Sequence, residues 1–290
     1  MNVALPTPSV AAGTASFGEL LRGWRLARRQ TQLGLSLSTG VSSRHLSYME
    51  TGRASPSREM VVALAQALEI PLRDRNALLH AAGFAAMYRE TPLDAPTLGP
   101  VRDAIQLLLA ATEPNPTFVV NRRYDVLDAN EPARWLVATF NAEPAKLKQP
   151  YNMGRMLVSP HGMRPYLENW PDVARKVLGR LRRELGGAHA RDHIDDALVK
   201  DIEPTLAELG MPAKSTEALP LLVGVNFRRG DLAVRLFTTI ATLGTPLDVT
   251  LEELRIEMLF PADAETKQVL AERAASAAAN ANEMRYTRTR

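Results

Sequence analysis

Between Gly40 and Gly52 the chain reads GVSSRHLSYMETG, a short polar stretch whose side chains suit the reading of a nucleic acid. Arginine can grip the O6 and N7 edge of guanine with two hydrogen bonds, and serine can donate to or accept from several bases. On a helix at about 100° per residue, Ser43, Arg44, Ser47 and Tyr48 share one side and span about 140°. Leu46 and Met49 fall on the other side, where with Val41 they can pack on neighbouring helices. A helix held by so few apolar groups exposes most of its surface, and a major groove is wide enough to receive it. The surrounding charge fits. From Arg22 to Arg58 there are seven arginines and one acid, Glu50, and no lysine occurs before Lys146. Guanidinium groups bind oxyanions bidentately, which suits phosphate contacts.

Other constellations carry less chemistry. His189 and His193 have the i, i+4 spacing of a helical metal pair. Gly186 and Gly187 precede them and no metalloprotease-type glutamate stands between them, so no metal site is expected. Ser159 near His161 is the nearest approach to a nucleophile and base, and no complete catalytic constellation is found. The stretch from Gly224 to Gly230 lacks phosphate-loop spacing.

The elements that position the polar stretch can be read from caps and periodicity. Ser16 and Glu19 form a capping-box pattern, followed by Phe17, Leu20, Leu21 and Trp24 on one stripe. Thr31 caps a second short helix that Gly40 closes. Ser42 caps the third helix, Ser43 to Thr51, and Gly52 ends it. Ser57 caps a fourth, with Val61, Leu64, Ala65 and Leu68 inward and Pro71 as its stop. A fifth runs from Arg73 to Ala82 and ends at Gly83. These five helices imply an all-α domain over residues 16–90, behind a flexible tail, 1–15, that has no basic signal-peptide region. Residues 91–112 read as a linker and connecting helix, the helix over Val101 to Ala111.

The second half changes character. Phe118–Val120 and Tyr124–Asp128 read as strands around an Asn-Arg-Arg turn. A helix starts at Asn130, a long amphipathic one spans Pro165 to Leu185, and another spans Asp192 to Leu209. Leu221–Phe227, Leu232–Ala241 and Leu254–Phe260 read as strands, the first two joined at Gly230-Asp231. Strands, helices, then strands make an α+β domain over residues 113–265. An alanine-rich exposed helix and tail, 266–290, follow, the helix starting near Ala264.

Length and composition bound the function. The 290 residues suffice for two domains. With no cysteine, disulfides, thiolate metal sites and a cysteine nucleophile are excluded, and a reducing cytosol fits. No apolar run approaches the ~18 residues of a membrane span. The expectation is a cytoplasmic, nucleoid-associated protein with no membrane partner.

The spacing Thr31-Gln32, Gly40-Val41-Ser42, Leu46, Glu50-Thr51-Gly52, Pro56-Ser57, Leu64-Ala65 and Leu68 resembles the helix-turn-helix of lambda and Cro-type repressors, the XRE family. The resemblance implies that Gln32 contacts the DNA backbone, that Ser43, Arg44 and Ser47 face bases, and that His45 or Tyr48 reaches phosphate or flanking bases. Arg53 joins the residues expected at DNA. It also implies an ion pair between Arg25 and Glu50, tying helix one to the end of helix three. Ser36 departs from the family's usual alanine, and Gly34 weakens helix two by ~1 kcal/mol relative to alanine.

Further along, Phe118-Val119-Val120-Asn121 with Asp125 to Asn130, then Asn152 to Leu157 and Pro165 to Arg175, resemble the MmyB-like regulators. That resemblance implies a PAS-like C-terminal domain enclosing an apolar small molecule, with fatty acids the leading candidates and no other cofactor. Candidate lining residues are Trp135, Phe140, Met156, Tyr166, Trp170, Phe227 and Phe237. Each could equally be plain core packing, the usual fate of apolar side chains at such spacing. Arg122, Arg123 and Arg155 are candidates for a carboxylate head group.

The expected function is a non-enzymatic, ligand-responsive transcription regulator, a homodimer on a pseudo-palindromic double-stranded operator. Two other readings stand beside it. One is an antitoxin-like or scaffold DNA-binding protein whose second domain holds a protein partner. The other is an enzyme on lipophilic substrates with a regulatory helical head.

Overall fold

A computed structural model describes residues 15–146, 149–185, 204, 207–208, 210, 224–244 and 246–288. Among these, the residues up to Arg89 form one compact unit and those from Glu90 another.

The first unit is five helices: α1 (Phe17–Ala27), α2 (Gln32–Thr39), α3 (Ser43–Glu50), α4 (Arg58–Ala67) and α5 (Leu72–Ala81). The first four begin at side-chain caps. Ser16, Thr31, Ser42 and Ser57 accept the backbone N–H of Glu19, Gly34, His45 and Met60. Glu19 returns the bond to Ser16, which completes the capping box. Each cap satisfies a donor that the first helical turn leaves open. Gly40 and Gly52 follow α2 and α3 with φ of 72° and 71°, a conformation that an L side chain rarely adopts. Leu21, Leu35, Leu46, Met49, Leu64 and Leu68 meet in the core.

Gly18 fixes how closely α1 approaches α3. A Cβ there would lie 2.5 Å from the Met49 carbonyl oxygen and 2.7 Å from that of Glu50. Only glycine lets the two backbones meet at this distance.

The second unit contains α6 (Gly99–Ala111), β1 (Thr117–Val120), β2 (Val126–Ala129), α7 (Glu131–Thr139), α8 (Met153–Val158) and α9 (Trp170–Leu185). It continues with β3 (Gly224–Arg229), β4 (Leu232–Ala241), α10 (Val249–Glu253), β5 (Arg255–Pro261) and α11 (Ala264–Arg288). The strands form one antiparallel sheet in the order β2-β1-β5-β4-β3, an α+β, PAS-like arrangement. Phe118, Val120, Val225, Phe227, Val234, Leu236 and Leu259 build the main core with α7, α8 and α9. Val119 joins Ile105 and Leu109 of α6, and Leu254, in a separate cluster. The stretch expected as linker and connecting helix therefore packs within this unit, where Thr91 also bonds the Asp248 carboxylate.

Asn130 locks the start of the sheet to two helices. Its Oδ1 accepts from Thr117 N at 2.9 Å and caps α7 through Ala133 N at 3.1 Å. Its Nδ2 donates to the carbonyls of Asn115 and Leu109. The side chain is 5% exposed, so these bonds replace water that burial removes.

Three elements differ from the sequence expectation. The long helix starts at Trp170 rather than Pro165, because residues Arg164–Tyr166 make a separate 3₁₀ turn and Leu167 bridges to Phe227. The second strand starts at Val126, because Tyr124 closes the preceding turn with φ of 66°. Asn121 Oδ1 holds that turn by accepting from the backbones of Arg123 and Asp125. The alanine-rich helix is docked where it begins. Thr266 accepts from Arg235 N, and Leu270, 2% exposed, enters the main core. Most of the expected helix from Asp192 to Leu209, the His189 and His193 pair, and the start of the strand from Leu221 lie outside the described residues.

Candidate functional site

The third helix presents the side that its sequence implies. Leu46 and Met49 are buried, Arg44 is exposed, and Ser43, His45, Ser47 and Tyr48 are half-buried. Arg44 Nε donates to Tyr48 Oη at 3.0 Å, and the guanidinium carbon stands 5.4 Å from the Tyr48 ring centre. That bond uses Nε and not the two Nη groups. Arg53 is exposed just beyond the helix, and its backbone N–H bonds the Tyr48 carbonyl.

Arg25 holds α3 from behind. Its Nε and Nη2 donate to the two oxygens of Glu50 at 2.6 and 2.9 Å, and its Nη1 donates to the Gln30 carbonyl. Both side chains are nearly buried, at 9% and 4% exposure. Gln32 adds a third bond to Glu50 from Nε2, at 2.9 Å. Burial opposes the charge on Glu50, but the bonds from Arg25 and Gln32 outweigh it and hold the carboxyl below its usual range. Arg25 and Glu50 thus form the pair implied by the motif.

The second unit holds a cavity of about 290 Å³ between the inner face of the sheet and the helices. Phe118, Val225, Phe227, Ile240 and Leu259 line it from the strands, Met153 and Leu157 from α8, and Val173 and Val177 from α9. Lys176, Arg180 and Glu257 bring charge to this apolar wall. Arg180 Nη1 lies 3.7 Å from Glu257 Oε1, and its guanidinium also lies over the Tyr124 ring. Burial, the largest cause, pushes the Lys176 ammonium below its usual range. The positive charge of Arg180 adds to that shift and the negative charge of Glu257 opposes it.

Of the seven lining candidates, Phe227 faces this cavity. Phe140 stacks behind it at 4.9 Å between ring centres, and Trp135 and Tyr166 meet Phe140 edge-on at 6.4 and 6.2 Å. These four form one aromatic chain, with Phe227 shared between core and cavity. Met156 is buried in the same core. Trp170 packs under the Arg164 guanidinium, 3.8 Å from its ring centre. Phe237 stacks on Phe260, out of step with Leu236 and Leu259 on the inward side. Arg122 pairs with Glu253, and neither Arg123 nor Arg155 lines the cavity. Lys176 and Arg180 take that place. Their signal in sequence was the i, i+4 spacing beside Val173 and Val177. Glu257 was signalled by a single acid within an apolar strand.

Comparison with known proteins accounts for both units. The family model described as "MmyB-like transcription regulator ligand binding domain" matches residues 101–272, more than half of the chain. The chain belongs to the MmyB-like transcription regulators. A helix-turn-helix domain model matches residues 16–78 of this MmyB-like regulator. The chain is 42% identical over 55 residues to the transcriptional regulator ClgR of Mycobacterium tuberculosis, from strains CDC 1551 / Oshkosh and H37Rv. The alignment covers 19% of this chain and 49% of the relative, so the chain spans about half the length of the curated relatives it matches. The chain thus joins a helix-turn-helix domain to the ligand-binding domain of the MmyB-like transcription regulators. Among the described residues, no helix is long and apolar enough to cross a membrane.

Proposed function

We propose that this regulator binds a pseudo-palindromic operator as a homodimer and responds to an apolar small molecule, a fatty acid, held in its PAS-like domain. The observation that carries the reading is the cavity of about 290 Å³, with apolar walls from the sheet and helices and two cations at one side. Its size is near the lower end of the ~300–1,000 Å³ common for small-molecule sites, which favours a short or medium acyl chain. Its flexible Met153 suits a ligand of variable shape. In a dimer, two copies of α3 would read half-sites about 34 Å apart. The ligand acts by binding one state of the protein more tightly than another, since equal affinity would shift nothing. Mass spectrometry of an organic extract of the purified protein tests the reading. A defined fatty acid at about one per chain is the expected result. A clean extract, with no rise in melting temperature on adding fatty acids, would leave the sensor reading without support.

A further inference from the structure

The cavity of the second unit meets an aromatic wall at one end of the sheet. Side chains two apart on a strand share a face, so Val234, Leu236, Thr238 and Ile240 of β4 all point inward. Among these, Thr238 and Ile240 line the cavity, whereas Val234 and Leu236 are fully buried and do not. Phe227 of β3 stands opposite Val234, and Glu257 of β5 stands opposite Ile240. Along β4 those two levels are about 20 Å apart at the usual rise of ~3.3 Å per residue. Phe227 lines the cavity and is only 1% exposed. Its ring has no room behind it. It stacks on the fully buried Phe140 at 4.9 Å between ring centres, and Trp135 and Tyr166 close on Phe140 edge-on. The backbone of β3 is pinned as well. Asn169 Nδ2 donates to the Gly224 carbonyl at 2.8 Å, its Oδ1 accepts from Asn226 N at 3.1 Å, and Leu167 bridges to Phe227.

We propose that Phe227 is the blind end of the cavity and sets the longest acyl chain that the domain accepts. This rests on the reading of the cavity as the site of a fatty acid. The Arg180–Glu257 pair marks the level of Ile240, so the methyl end of a chain is the end that meets Phe227. Each methylene that the chain adds inside the cavity buries more apolar surface and tightens binding, about fourfold per carbon. Once the methyl end touches Phe227, a longer chain must displace a ring held by three other aromatic side chains. Packed interiors resist such insertion, because the neighbours leave their rotamers to make room. The affinity of successive chains therefore rises to one length and then drops sharply.

Calorimetric titration of the full chain with the even-numbered saturated fatty acids from octanoate to palmitate tests this, each kept below its aggregation concentration. The native protein is expected to show a cutoff, with affinity falling about tenfold or more for the first acid beyond the preferred length. Phe227→Leu, which shortens the wall and keeps it apolar, should move the cutoff up by at least one member of the series. Phe140→Leu leaves Phe227 in place but removes the ring it stacks on, and should soften the drop to less than about threefold. The native series decides even if neither variant folds: affinity that climbs without a break to palmitate overturns the blind end and leaves the ligand site standing. An unmoved cutoff in Phe227→Leu, with binding retained, overturns it equally. Failure of the native protein to bind any acid of the series overturns the fatty-acid reading, and this proposal with it.

Discussion

At the scale of single residues, Glu50 ties the end of α3 to Arg25 and Gln32. It accepts two bonds from Arg25 and one from Gln32 while its side chain is 4% exposed. Removing one partner strands the other charge in a poorly solvated site, which costs about 3–5 kcal/mol. Glu50→Ala should lower the unfolding free energy by about that amount in urea titration of the full chain. The pair also sets an acid limit. The folded carboxyl titrates below its ordinary 4.5, so its contribution is fully present above that value and is lost as pH falls through the folded pKa. Glu50→Gln should flatten that acid arm in melting temperature against pH. Arg44 makes a separate prediction. Arg44→Ala should weaken operator binding by about 1–3 kcal/mol, read by fluorescence anisotropy, if the Nη edge takes a guanine. Equal loss on operator and unrelated DNA would assign Arg44 to a phosphate instead.

At the scale of elements, α1 and α3 approach closely at Gly18. Alanine normally favours a helix interior over glycine by roughly 0.5–1 kcal/mol. At Gly18 the sign should reverse, because the new Cβ would press on two backbone oxygens of α3 that cannot yield as a side chain does. Gly18→Ala should therefore destabilise by about 1–3 kcal/mol, the range for overpacking. A melting temperature at or above the native value would disprove the close approach. The same reasoning explains what sequence could show here. Ser16, Thr31, Ser42 and Ser57 were legible as caps because a cap is a local bond to the next turn. The start of α9 at Trp170 was not, because Leu167, which follows the 3₁₀ turn before it, bridges to Phe227 of β3.

At the scale of the whole molecule, a ligand-binding domain and a DNA-binding domain share one chain, and any coupling between them is reciprocal. If a fatty acid changes operator affinity by some factor, operator DNA must change fatty-acid affinity by the same factor. Measuring both by titration checks the proposed response, and unequal factors would exclude a simple two-site linkage. Operator affinity should also fall steeply with salt, because the arginine-rich first unit releases counterions from each phosphate it neutralises.

The sequence by itself determined the five helices and the side that α3 presents, and its resemblance to the lambda and Cro-type repressors implied the Arg25–Glu50 pair. The helices and the α3 side depend on short-range caps and helical periodicity. It also determined that the second half mixes strands with helices. Only the tertiary structure decided what faces the cavity. Along β4 apolar residues fall on both faces, so Phe237 and Leu236 look alike in sequence, and strand register alone separates them. Likewise Lys176 and Arg180 read as the charged side of an amphipathic helix until the sheet placed Glu257 beside Arg180. The physical reason is one of range. Caps and helix faces are set by neighbours a turn away, whereas the cavity is set by strands and helices far apart in the chain.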